Sequence, residues 1–144
     1  MKCSKVFLDT NILIDFMIED RPDADAAAEV FDLASSGKLL CFTCGTSLIN
    51  AYYITRKDLN DETRREWLRF FLDALGIANL DRKTCEQALL NGEPDFEDGC
   101  ILAQAQACGA DCIVSRDEQA FAGSSIPRLT AAELVAAVRA EDAK

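Results

Sequence analysis

Three aspartates stand where a fold could gather them. Asp9 ends the apolar run Val6-Phe7-Leu8, and Asp117 follows Ile113-Val114-Ser115-Arg116. Asp98 lies in the first turn of a helix-patterned stretch just ahead of that second run. Carboxylates brought together repel one another and raise each other's pKa. A divalent cation relieves the repulsion. Mg²⁺ suits a few carboxylates, with water and phosphate oxygens completing an octahedron. An ion held this way lowers the pKa of a water and stabilises charge growing on phosphorus. The sequence has no histidine, so the usual general base and the Ser-His and Cys-His nucleophile pairs are missing. Any hydrolytic chemistry must rest on carboxylates, a metal, or both.

Each acid also has a plainer use. Asp9 could be an N-cap for the helix that follows it. Asp95, Glu97 and Asp98, at a helix start, complement the helix dipole. Asp117 could cap the segment Asp117-Glu118-Gln119-Ala120-Phe121. One acid alone says little; three in order at strand ends say more.

The elements that must position them can be read from periodicity. Lys5 to Asp9 reads as a first strand and Thr10 to Phe16 as a short helix. Pro22 precedes a helix over Asp23 to Ser36 with Ala27, Val30, Phe31 and Ala34 on one face, and Gly37 ends it. Leu39 to Thr43 is a second strand. Thr46 to Lys57 is a helix presenting Leu48, Ile49, Tyr52 and Tyr53. Asp61 to Leu75 is another, with Trp67, Phe70, Phe71 and Ala74 inward and Arg64, Arg65 and Arg69 outward. Ile77 to Leu80 is a third strand. Arg82 to Leu90 is a helix closed by Asn91-Gly92, and Asp95 to Cys108 is one closed by Gly109. Cys112 to Ser115 is strand four. Ile126 to Leu129 is a short fifth strand, whose Pro127 suits an edge. Thr130 caps a last helix to Glu141, with Glu133 at the capping-box position. Strands alternating with helices predict a parallel sheet of four to five strands covered on both faces, a three-layer α/β/α sandwich. In such sheets ligands bind at the carboxyl ends of the strands, near the point where strand order reverses.

The 144 residues fit one domain spanning 1–144. Apolar residues make up 49%, enough for one core, and no run approaches a membrane span. The opening residues, an apolar run cut off by an acid, read as a strand and not a signal peptide. Seven cysteines, an odd number without a secretion signal, point to a reduced cytoplasmic setting. Cys41-Phe42-Thr43-Cys44 has Cys-x-x-Cys spacing, but zinc would need two more ligands, so buried thiols are the better reading. The formal net charge of −10 argues against a protein that coats nucleic acid nonspecifically.

Phe7-Leu8-Asp9-Thr10-Asn11-Ile12-Leu13 resembles the opening motif of PIN domains, in which a strand ends in Asp and continues as Thr-Asn and a helix. Asp95-Phe96-Glu97-Asp98-Gly99-Cys100-Ile101-Leu102-Ala103 is similar to the family's third acidic motif. Ile113-Val114-Ser115-Arg116-Asp117-Glu118-Gln119-Ala120-Phe121 resembles its last, strand-Ser/Thr-Arg-Asp followed by Phe. The match covers nearly the whole chain. One departure stands out: many PIN domains carry Glu in the helix after strand two, and the matching position here is Asn50, as in one branch of the family.

The resemblance implies an endoribonuclease dependent on Mg²⁺ or Mn²⁺, of the kind that serves as the toxin of a toxin–antitoxin pair. It implies a small antitoxin partner, a homodimer and an RNA substrate. By carry-over, Asp9, Asp98 and Asp117 would be metal ligands and Asn50 would orient a water at the ion. Thr10, Asn11 and Ser115 would fix the carboxylates by hydrogen bonds. Glu97 could replace part of the charge missing at Asn50, although neighbours on a helix diverge by roughly 100°. Arg56, Lys57 and Arg116 could contact the RNA backbone, or simply form a solvated face. Two rivals remain. A catalytically weak or inactive PIN domain would act as a nucleic-acid- or protein-binding module, which Asn50 and the acidic charge favour. A haloacid-dehalogenase-like phosphatase also places Asp after strand one, but it needs a second Asp two residues on, where this chain has Asn11.

Overall fold

The computed structural model describes residues 3–144; Met1 and Lys2 of the opening segment lie outside the described residues. The elements follow in the order β1 (Lys5–Leu8), α1 (Thr10–Met17), α2 (Ala24–Ser35), β2 (Leu40–Cys44), α3 (Gly45–Ile54), α4 (Asp61–Ala74) and β3 (Gly76–Ala78). Then come α5 (Arg82–Leu90), α6 (Phe96–Ala107), β4 (Cys112–Val114), β5 (Arg128–Leu129) and α7 (Ala131–Asp142). The five strands form one sheet in the order β3-β2-β1-β4-β5. Every pairing is parallel, with Val6 opposite both Cys41 and Cys112. The predicted α/β/α sandwich is the fold observed.

Strand residues alternate between two cores, as a pleated strand requires. Val6, Leu8, Cys112 and Val114 join one core with residues of α1, α2 and α7. Phe7 and Ile113 face the other, against Ile101, Leu102 and Ala105 of α6. Both faces of β1 and β4 are dry, which accounts for their near-continuous apolar sequence.

The chain leaves β1 to build β2 and β3 on one side, then returns to build β4 and β5 on the other. The order reverses between β1 and β4, so the crevice for a ligand opens beyond their carboxyl ends. Asp9 is the next residue after β1, and Ser115 is the next after β4.

Local details differ from the sequence reading where tertiary contacts intervene. The third strand starts at Gly76, earlier than Ile77, and a Cβ there would lie 2.5 Å from the Phe42 ring. The helix after β2 ends at Ile54, and Thr55–Lys57 close it as a tighter 3₁₀ turn. On α4 only Phe71 is fully buried; Phe70 and Ala74, expected inward, are exposed. Arg64, expected outward, is mostly covered. Its guanidinium lies 4.2 Å from the Tyr52 ring centre and donates to Tyr52 O at 2.9 Å. On α3, Ile49 and Tyr53 face solvent, and Ser47 and Ala51 are the buried positions. The predicted capping box of Thr130 and Glu133 is present. All seven cysteines are free thiols. Burial pushes the Cys41 thiol up to about 12, which leaves it inert as a nucleophile.

Candidate functional site

Beyond the carboxyl ends of β1 and β4 lies an open cleft of about 430 Å³. Five acids line it: Asp9, Asp95, Glu97, Asp98 and Asp117. Thr10, Asn11 and Asn50 complete its polar rim.

Asp9 is the most enclosed of these acids, 7% exposed. It is the N-cap of α1, as the plainer reading held, and accepts from Thr10 N at 2.8 Å. Its second oxygen accepts from Ser115 Oγ at 2.7 Å and Asn11 Nδ2 at 3.3 Å. Ser115 Oγ in turn accepts from Asp117 N at 3.1 Å. Thr10 Oγ1 donates to Ser47 Oγ at 2.9 Å, tying α1 to α3. Thr10, Asn11 and Ser115 therefore hold Asp9 and the turn after β4 in one frame. Capping and site-building are the same geometry here, because a strand that runs straight into a helix turns at the carboxyl edge of the sheet.

The other acids enter from α6 and from the turn after β4. Asp95 caps α6, accepting from Asp98 N at 2.8 Å. Asp117 Oδ1 accepts from Gln119 N and Ala120 N at 3.0 and 3.2 Å. Asn50 Nδ2 donates to Glu97 Oε1 at 2.9 Å, bridging α3 to α6 across the cleft. Burial raises the Asp9 pKa, its hydrogen bonds oppose the rise, and Asp117 and Asp95 add to it. Asp98 is pushed up to about 7, first by burial and then by Asp95, Asp9 and Asp117. Burial and the Asp9 charge also raise Glu97, against the pull of Asn50. These carboxylates feel one another, and no cation among the cleft-lining residues compensates them.

The structure thus brings Asp9, Asp98, Asp117, Asn50, Thr10, Asn11 and Glu97 to one cleft, with Ser115 buried behind Asp9. Asp95, read from the sequence as a dipole complement and not carried into the acidic set, lines it too. The signal for Asp95 was its spacing: three residues before Asp98, it shares that residue's helical face. The basic residues stand elsewhere. Arg56 stacks 3.8 Å from the Tyr53 ring centre and donates to Tyr53 O at 2.8 Å. Lys57 is exposed in the turn after α3. Arg116 donates from Nε to Asp15 at 2.8 Å, with Asp23 at 3.6 Å. None of the three lines the cleft.

The donor set is all oxygen, anionic and wet, which suits a hard divalent ion such as Mg²⁺ or Mn²⁺ and disfavours a soft one. Burial first, and neighbouring carboxylates second, raise Asp9, Glu97 and Asp98, and a cation in the cleft would offset both effects. Among the described residues no three acid or thiol side chains already converge closely enough to enclose an ion.

A sequence model of the PIN domain matches residues 5–119. No curated protein matches the chain. Among solved structures, VapC20 from Mycobacterium tuberculosis, a sarcin–ricin loop cleaving toxin, superposes with a TM-score of 0.68 at 15% identity. The match covers 83% of this chain and 95% of that one. A toxin–antitoxin complex from Klebsiella pneumoniae gives a TM-score of 0.67 at 20% identity, over 88% of this chain and 97% of that one. VapBC2 from Rickettsia felis, bound to a DNA fragment from its promoter, gives 0.66 at 18%, over 88% and 98%. At these identities the likeness is one of fold.

Proposed function

The chain belongs to the PIN-domain family, and from that premise we propose that it is a divalent-metal-dependent endoribonuclease, the toxin of a toxin–antitoxin pair. The observation that carries the reading is the cleft at the β1/β4 switch point, lined by five acids and no base. Asp9, Asp98 and Asp117 would hold Mg²⁺ or Mn²⁺, directly or through water, with Asp95 and Glu97 lining the same cleft. Bound there, the ion supplies charge neutralisation at the phosphodiester and acidifies water.

The chain's own residues then have distinct tasks. Ser115, Asn11 and the Thr10 amide keep Asp9 in one orientation before any ligand arrives. Asn50, held by Glu97, keeps its carbonyl oxygen available to orient a water or a substrate hydroxyl. Arg56 and Lys57 follow α3 directly, outside the cleft lining, and would meet RNA phosphates only where the strand runs on beyond the cleft. Solved toxin–antitoxin complexes of this fold support a small antitoxin as partner, and exposed Ile49, Tyr53 and Ile54 support a second copy of the chain. No described helix is long and apolar enough to cross a membrane; the cytoplasm is the proposed compartment, and residues 1–144 the proposed single unit.

The test is cleavage of single-stranded RNA with Mn²⁺ present. Asp9→Asn and Asp98→Asn should each slow it by about a hundredfold or more. Wild-type protein that binds no divalent ion at millimolar concentration would overturn the reading. Asn50, neutral where the family resemblance implies an acid, favours a second reading, a PIN domain that binds RNA without turnover. Metal-dependent turnover by the wild type removes it.

A further inference from the structure

A second cavity opens beside the acidic cleft, between α3, α6 and the segment after β3, with a volume of about 210 Å³. Its lining joins apolar Leu80, Phe96, Cys100 and Ile101 to polar residues of α3 and α6. The two spaces are continuous in their lining, because Asn50 and Glu97 belong to both. Phe96 is 52% exposed and lies in sequence between Asp95 and Glu97, so one turn of α6 presents acids to the cleft and a ring to the cavity. Among the described residues its ring is paired with no other aromatic ring.

We propose that this cavity is a subsite for one unstacked nucleobase of a single-stranded RNA whose backbone crosses the acidic cleft. The identity of the polymer rests on the ribonuclease reading above; the base-binding chemistry rests on four observations of its own. Size is the first. The cavity is smaller than the roughly 300–1,000 Å³ of sites that swallow a whole ligand, and it suits one ring system. Charge is the second. Glu97 borders the cavity and Asp9, Asp95 and Asp98 stand beyond it, so an anionic occupant is repelled. A base is neutral, and its phosphate stays outside over the cleft. The third is the exposed Phe96 ring, since unstacked bases in single-stranded RNA are bound on aromatic faces.

The fourth observation is an unpaired buried acceptor. Gln104 lines the cavity and is 1% exposed. Its Nε2 donates to Ala78 O and Asn79 O at 3.4 and 3.1 Å. Both partners are carbonyls, so the nitrogen faces them and Oε1 is the acceptor left over, in a side chain that borders this cavity and a neighbouring one beside Ala78 and Asn79. Oε1 is buried with no partner, a costly state that a donor on a ligand would relieve. Asn50 repeats the arrangement, spending Nδ2 on Glu97 and keeping Oδ1 as an acceptor. Two amide acceptors select a base edge that donates. Adenine, cytosine and guanine carry an exocyclic amine; uracil offers one N–H between two carbonyls that would oppose these oxygens. The subsite therefore favours amino-bearing bases over uracil.

The experiment is a titration of metal-free, isotopically labelled full-length protein with adenosine, cytidine and uridine, followed by backbone amide NMR. Saturable shifts should appear at Phe96, Cys100 and Ile101, with uridine the weakest ligand. Phe96→Ala, at a half-exposed position that leaves the core intact, should weaken adenosine binding about tenfold. Gln104→Met should narrow the gap between cytidine and uridine. No saturable shift at these residues, or unchanged affinity in Phe96→Ala, overturns the subsite. Cleavage of RNA with Mn²⁺ by the same preparation separates the two ideas. Cleavage without nucleoside binding sinks the subsite and spares the nuclease. Nucleoside binding without cleavage sinks the nuclease and keeps a base-binding pocket.

Discussion

Asp9 and Asp15 are six residues apart, both buried, and opposite in what surrounds them. Asp15 is 1% exposed, with Arg21 at 2.7 Å and Arg116 at 2.8 Å, one guanidinium on each carboxylate oxygen. Asp9 has no cation among its hydrogen-bond partners, only Thr10 N, Asn11 Nδ2 and Ser115 Oγ, with acids beyond. A buried carboxylate is tolerable when paired and costly when not. Asp15 is a finished structural element that pins the turn after β4 to α1. Asp9 is held open in charge, which under the proposed function is the state that a divalent ion completes. Arg116, which the sequence offered as a contact for RNA, belongs to the finished half of this contrast.

The largest way to break the contrast is Asp15→Ala. It should cost about 3 kcal/mol of stability, the low end for a broken buried pair because both arginines can turn to water. Urea unfolding measures it, and a loss within error of zero would mean the pair contributes nothing. Next comes Asp98→Asn in metal-free protein, which removes one charge from the crowded cleft. Asp98 is partly solvated, so screening leaves a gain of about 1 kcal/mol. The same variant should lose most of the thermal stabilisation that saturating Mg²⁺ brings to the wild type. An Asp98→Asn protein less stable than wild type without metal would show that the repulsion is unimportant.

The smallest effect is a slope with pH. The folded Asp98 pKa, pushed up to about 7 from 3.8, means that the folded state binds more protons than the unfolded between those values. Metal-free stability contributed by this group should therefore fall as pH rises from about 4 to about 7 and then level off. Asp9 and Glu97 act in the same direction. Asp61, Asp81, Asp111 and Glu133 have lowered values and act oppositely at lower pH. The slope is thus read as the difference between wild type and Asp98→Asn in thermal denaturation with a chelator present. Parallel curves for the two proteins would refute it.

Much of the fold was legible because its signals are local. The caps at Asp9 and Thr130 and the left-handed Gly37 and Gly109 bound elements within a residue or two of where the sequence placed them. Less was legible on α3 and α4. Periodicity showed that Ile49, Tyr53 and Phe70 were helical, but which helix covers them depends on packing, and all three are exposed. In the candidate site, Asp9, Asp98 and Asp117 were readable from their strand-end and helix-start positions. Asp95 was read only as a complement to the helix dipole; the structure makes it the cap of α6 through one oxygen, which leaves the other for the cleft.

By itself, then, the sequence determined the alternation of strands and helices, the family, and the order in which acids reach the carboxyl edge. Those properties depend on periodicity and on residues next to one another. The tertiary structure decided which charges are compensated. Ser115 reaches Asp9 across 106 positions, and Arg116 reaches Asp15 across 101. Whether a buried carboxylate meets a guanidinium or another carboxylate is settled by such long-range encounters, and no local pattern encodes them.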